Sequence, residues 1–156
     1  MRKTKIVYFL LMMVIVSITI GSCNRNDDNM EFIPNTPVSL VVNLNLPNYF
    51  DLTLPGNFMY FTDGFKGLIL YHAYDGEYYA YDRGCPHEPY RDCSQLWLDS
   101  TTKMHMICGA YQQGVFEKCC DSRFEIPGGF PVEGPSIRAM KPYYVSKQGN
   151  TLIVSN

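Results

Sequence analysis

Past residue 22 this chain never sustains apolar residues at helical spacing, and that absence is what most narrows its fold. Short runs of β-branched and aromatic residues alternate instead with Pro, Gly, Asn and Asp. Residues 38–46 place Val38, Leu40, Val42, Leu44 and Leu46 on one face, with Ser39, Asn43 and Asn45 opposite, the pattern of a half-buried strand. Pro47 and then Pro55-Gly56 break the chain into short extended pieces, and residues 57–62 read as an aromatic-rich strand. Residues 68–74 and 77–81 flank Asp75-Gly76, which predicts a hairpin closed by a type I′ turn with positive φ at both central positions. Residues 103–107 read as another strand. A last hairpin joins residues 143–145 to 152–154 through Gln148-Gly149-Asn150. Many short strands with turns between them predict an all-β fold, a small antiparallel sandwich or barrel, with neither an internal repeat nor a second domain.

The first 22 residues are an export signal by composition. Arg2, Lys3 and Lys5 precede an apolar run over residues 6–20, which is short for a bilayer span and ends at small residues. Ile20-Gly21-Ser22-Cys23 resembles a bacterial lipobox, which implies cleavage before Cys23, acylation of its thiol and a lipid-anchored protein of the cell envelope, facing the periplasm or the surface. Asn24, Arg25, Asn26, Asp27, Asp28 and Asn29 follow without apolar periodicity, so residues 23–37 are expected to be an acylated cysteine and polar tether, and residues 38–156 the domain. Loss of the signal removes three of 13 basic residues and no acidic ones, leaving 10 against 15. That negative balance, without a basic cluster, excludes nucleic acid as a partner. The membrane is met through lipid, and no redox or protein partner is named by the sequence.

Chemistry concentrates in the cysteines. Cys23 is assigned to lipid, which leaves Cys85, Cys93, Cys108, Cys119 and Cys120. Outside the cytoplasm paired thiols become disulfides, and an odd number leaves one thiol free or some of them as metal ligands. His72 and His105 lie singly in strand-like segments and receive no chemistry. Tyr78, Tyr79, Tyr81, Tyr143 and Tyr144 read as packing and cross-strand residues.

Cys85-Pro86-His87, Asp121-Ser122-Arg123-Phe124, Gly128-Gly129 and Gly134-Pro135-Ser136 together resemble the two ligand loops and the proline loop of a Rieske iron–sulfur domain, over roughly residues 65–154. The resemblance implies a Rieske-like β fold carrying a [2Fe–2S] cluster for electron transfer, held by Cys-x-His in the first loop and Cys-x-x-His in the second. Cys85 and His87 match the first loop, behind Tyr79-Ala80-Tyr81-Asp82 as the entering strand. Registering the second loop on Ser122 and Phe124 puts Glu117 at the cysteine position and Cys120 at the histidine position. Cys93 and Cys119 then correspond to a bridge across the loops, and Ser122 to a hydrogen-bond donor toward a cluster sulfide. A competing register through Cys108-Gly109-Ala110-Tyr111 shortens the gap between loops, but replaces the histidine by tyrosine and fits poorly beyond it.

The implied metal ligands are thus Cys85, His87 and Cys120. Glu117 is a hard carboxylate where iron–sulfur chemistry wants thiolate. Arg2-Lys3-Thr4-Lys5 lacks the twin arginine that serves proteins exported folded with their cofactor. Two alternatives stand beside the cluster. Zinc could take Cys85, His87 and Cys120 with Cys119 or Cys108. Without metal, Cys93 would meet Cys119 and Cys85 would lie near Cys120, a stapled structural or interaction module with Cys108 buried on its strand. No catalytic residues are assigned. A cysteine–histidine hydrolase through Cys85 and His87 is disfavoured, because residues two apart in a turn rarely present nucleophile and base to each other.

Overall fold

The computed structural model describes residues 32–156, so the expected signal, Cys23 and most of the expected tether lie outside the described residues. The described chain is all-β and antiparallel throughout. Its strands are β1 (Ser39–Asn43), β2 (Phe58–Phe61), β3 (Leu68–His72), β4 (Tyr78–Asp82), β5 (Gln95–Leu98), β6 (His105–Gln112), β7 (Val115–Glu125), β8 (Pro131–Glu133), β9 (Pro142–Gln148) and β10 (Thr151–Ser155). Six form one sheet in the order β1-β10-β9-β4-β3-β2; the other four form a second, β5-β6-β7-β8.

The apolar pattern explains the layering. In Leu68-Ile69-Leu70-Tyr71 every side chain is buried, because β3 is covered on both faces. Ile69 and Tyr71 join Leu96, Leu98, Met106 and Phe124 of the four-stranded sheet in one core. Leu68 and Leu70 point the other way, to Val42, Leu152 and Val154 and to Leu52. Leu52 belongs to a 3₁₀ helix, Pro47–Thr53, in a segment expected to be extended. Proline at its first turn fits, since its missing N–H would find no partner there. In β1, Val42 is fully buried and Val41 exposed, as the alternation predicts, while Leu46 falls beyond the strand and is exposed.

Arg83 ties the sheets together. Its guanidinium lies between Tyr60 of β2, 3.8 Å from the ring centroid, and Trp97 of β5, at 4.0 Å. Its Nε donates to the Leu96 carbonyl at 3.0 Å. β5 carries too little alternation to be read from the sequence, and this clamp helps to position it.

Both hairpins form where the turn residues stand, with different closures. Gly76 has φ 88, whereas Asp75 is absent from the positive-φ residues, so the turn is not type I′. Gly76 N–H donates to the Ala73 carbonyl at 3.0 Å and Ala73 N–H to that of Glu77 at 2.9 Å. That is a three-residue loop with glycine in the left-handed position of a bulge. The C-terminal hairpin is a two-residue loop with Gly149, φ 58, at its first position.

The domain also begins earlier than residue 38. Tyr90 donates to the Phe32 carbonyl at 3.3 Å, Lys141 Nζ to that of Pro34 at 2.6 Å, and Asn156 Nδ2 to that of Thr36 at 2.9 Å. Residues 32–37, expected in the tether, are therefore tied to the domain. No helix among the described residues is long and apolar enough to cross a membrane.

Candidate thiol centre

Asp82, the last residue of β4, organises the approach to Cys85. It is fully buried. Its carboxylate accepts from Gly84 N–H at 2.6 Å, Phe65 N–H at 2.7 Å and Tyr143 hydroxyl at 2.8 Å. Burial, and then the bond to Asp82, push the Tyr143 phenol well above its ordinary value, so it remains a donor. Gly84 forms an isolated bridge with Gln95, and Cys85 N–H donates to the Ser94 carbonyl at 3.2 Å, closing the loop over residues 86–94. Inside it, Ser94 Oγ donates to the His87 carbonyl at 3.1 Å.

The second expected loop is not a loop. Residues 115–125 are one strand, β7, paired with β6 as a long hairpin. The pairing slips in the middle: Ile107 faces Arg123, but Gly109 faces Lys118. Residues 119–122 stand against the single residue Cys108, an enlarged bulge with three residues in surplus. Cys108 therefore looks across at Cys120, and the strand expected over residues 103–107 runs instead from 105 to 112.

The slip is held from three sides. Gly109 gives the bulge room, since a Cβ there would stand 2.3 Å from the Glu117 carbonyl oxygen. Gly134, φ 86, presses against the outside of the bulge, where a Cβ would stand 2.3 Å from the Asp121 oxygen. Ser136 N–H donates to Ser122 Oγ at 3.1 Å, so the segment resembling a proline loop does pack on residues 121–122. The third tie is covalent. Cys93 and Cys119 form a disulfide with Cα atoms 5.4 Å apart, the pairing that the resemblance implies.

Three free thiols converge beneath this disulfide. Cys85, Cys108 and Cys120 have their Sγ atoms all within 4.8 Å of one another, and Cys85 and Cys120 are 3.8 Å apart. Cys85 and Cys108 are buried, and Cys120 is half-buried. Ser94 Oγ lies 4.0 Å from Cys108 Sγ. The Cys108 thiol is pushed far up, first because it donates toward Cys85 and then by burial. Burial raises Cys120 too, against the opposing pull of the Ser122 hydroxyl and N–H. Lys66 lies within electrostatic reach of Cys108 and Cys85; Arg91, within reach of Cys120 and Cys108, is paired with the Glu88 carboxylate at 2.7 Å. A cleft of about 230 Å³ opens on the bulge, lined by Cys108, Cys120, Ser122 and Arg123 among others.

Of the sequence-derived ligands, Cys85 and Cys120 meet. His87 is not within this sulfur group, and its Nε2 lies 3.8 Å from the Glu88 carboxylate. Glu117 sits exposed on β7 opposite Ala110, outside the centre, because the bulge begins only after it. Cys108 takes the third position. Locally it reads as a small buried strand residue, and the sequence offers it only in the competing register and as an alternative to Cys119 in a zinc site.

A Rieske centre needs two imidazoles on one iron. The chain has three histidines. His72 is buried on β3, stacked on Tyr78 with centroids 4.3 Å apart. His105 Nδ1 lies 3.1 Å from Thr102 Oγ1. Only His87 is on a site loop, so the donors do not fit the two-cysteine, two-histidine cluster. They do fit a thiophilic metal, for which soft thiolates are the preferred ligands.

No family model matches the chain, and no curated protein matches it. Among solved structures, the ferredoxin of carbazole 1,9a-dioxygenase from Nocardioides aromaticivorans IC177 is similar, with a TM-score of 0.45 and 18% identity over 77% of this chain and 97% of that one.

Proposed function

We propose that this protein is a lipid-anchored, non-catalytic module of a bacterial cell envelope, built on a Rieske-like scaffold whose two-histidine cluster has given way to a cysteine centre. The observation that carries this reading is the convergence of Cys85, Cys108 and Cys120 within 4.8 Å, where the resemblance calls for paired imidazoles. Electron transfer of the Rieske kind rests on imidazole-ligated iron, whose potential neutral nitrogen raises. With only His87 on the loops that iron cannot be built, so electron transfer is set aside in favour of the module. Anchoring rests on the basic, apolar and small-residue order of residues 2–22 and on Cys23 behind it.

The test is iron and acid-labile sulfide per chain, on the full protein exported by its own signal and extracted in mild detergent. Absence of labile sulfide is expected. About two irons with sulfide would restore the electron carrier. Labelling with a radioactive fatty acid, lost on Cys23→Ser, tests the anchor.

The 3.8 Å approach of Cys85 and Cys120 favours a second reading for the same scaffold. Oxidised together, they would give a second staple beside Cys93–Cys119, and the module would be structural, as in the metal-free alternative. Free-thiol counting separates the two.

A further inference from the structure

We infer that Cys85, Cys108 and Cys120 bind a single soft d10 metal ion, Zn(II) or Cu(I), as a three-sulfur site; this rests on the cysteine-centre reading above. Thiolates sharing one ion through bonds of ~2.3 Å stand about 3.8 Å apart in a tetrahedral arrangement and about 4.0 Å apart in a trigonal one. The Cys85–Cys120 separation is 3.8 Å, and all three sulfurs fall within 4.8 Å of one another. Small side-chain rotations would bring the third into bonding range.

The donors come from three separate places. Cys85 follows the Asp82 hub, Cys108 lies in β6, and Cys120 lies in the bulge of β7. The Cys93–Cys119 bond fixes the bulge to the first loop, so Cys120 is held against Cys85 by its own neighbour. A site assembled this way requires little ordering when the ion enters. Cys120, the half-buried member, gives the ion its way in, while the buried Cys85 and Cys108 close the inner side.

Charge and chemistry agree with one ion. Three thiolates are soft donors of the kind that select Zn(II) and Cu(I). Binding releases their protons as the ion takes their place. Lys66, within electrostatic reach of Cys85 and Cys108, favours the negative charge that remains. The ion also protects the Cys85–Cys120 pair from oxidation, by occupying both sulfurs.

Cys108 makes the proposal testable, because neither the Rieske registration through Cys120 nor the doubly stapled module uses it. The full protein, extracted as above, is reduced only enough to free the three thiols and titrated separately with Zn(II) and Cu(I) against chromophoric chelators. The expected result is one ion per chain for at least one metal. Cys108→Ser and Cys120→Ser should each weaken it by more than the ~10–100-fold typical of losing an outer-shell partner. Cys120→Ser changes a half-buried residue, so its thermal unfolding should remain near the parent's, separating ligand loss from misfolding. Equal affinity in parent and Cys108→Ser would overturn the proposal. So would three free thiols with no affinity for either ion, or one free thiol with a Cys85–Cys120 bond in the isolated protein. These last results leave the cysteine-centre reading standing, whereas two irons with labile sulfide would end both.

Discussion

Cutting the Cys93–Cys119 bond by Cys93→Ser with Cys119→Ser frees a stretch whose ends are 26 residues apart. In the chain-entropy treatment, closing a loop of that length removes about 12 cal/mol/K from the unfolded ensemble, equivalent to about 3.5 kcal/mol at 25 °C. Unfolding releases roughly 2.1 cal/mol/K per residue, so a domain of about 125 residues has an unfolding entropy near 0.26 kcal/mol/K. The double variant should therefore melt about 13 °C below the parent. Both cysteines are replaced so that Cys119 is not left as a stray thiol beside Cys120. The assay is thermal unfolding of the mature protein by circular dichroism at neutral pH, with and without a phosphine reductant. Reductant should bring the parent down to the variant and leave the variant where it was. A variant melting within about 2 °C of the parent without reductant would refute the reasoning, since that corresponds to about 0.5 kcal/mol, far below the loop-closure value.

Other perturbations probe what surrounds the thiols. Asp82→Ala removes a buried carboxylate that accepts three bonds of 2.6–2.8 Å, and should cost about 3–5 kcal/mol in urea unfolding; a loss under about 1 kcal/mol would show that Asp82 does not organise the approach to Cys85. Gly134→Ala places a Cβ 2.3 Å from the Asp121 oxygen at φ 86, so the segment should lift from the bulge and the Ser136 amide should lose its exchange protection. Unchanged protection would mean that the bulge holds its shape without this contact. The Asp99 carboxyl is raised by burial, but Thr101 N–H, Thr102 and Arg123 outweigh that and hold it below its ordinary value. Its stabilising contribution is complete above the unfolded carboxyl pKa of about 3.9 and is lost as pH falls through the lower folded value. Asp99→Asn should thus flatten the acid limb of the stability profile below about pH 4, and an unaltered slope would remove the Asp99–Arg123 pair from the explanation.

The sequence by itself determined the class of fold, the places where the chain turns and the chemical inventory of the centre. Local rules suffice for these. Alternation in residues 38–42 settles which face of β1 is buried, Gly76 and Gly149 mark turns because they tolerate positive φ, and Cys85-Pro86-His87 follows directly on a strand. The pairing of Cys93 with Cys119 was legible only through the family resemblance, since spacing alone leaves connectivity open. What the tertiary structure decided is which donors share a point. Whether Glu117 or Cys108 belongs to the centre depends on where the β6–β7 pairing slips. That slip is fixed by close approach at Gly109 and Gly134 and by a covalent tie to a loop 26 residues away. A buried strand cysteine carries the same local signal whether it fills space or binds a metal. Only the bulge opposite it, a consequence of contacts distant in the chain, turns Cys108 from filler into the third sulfur.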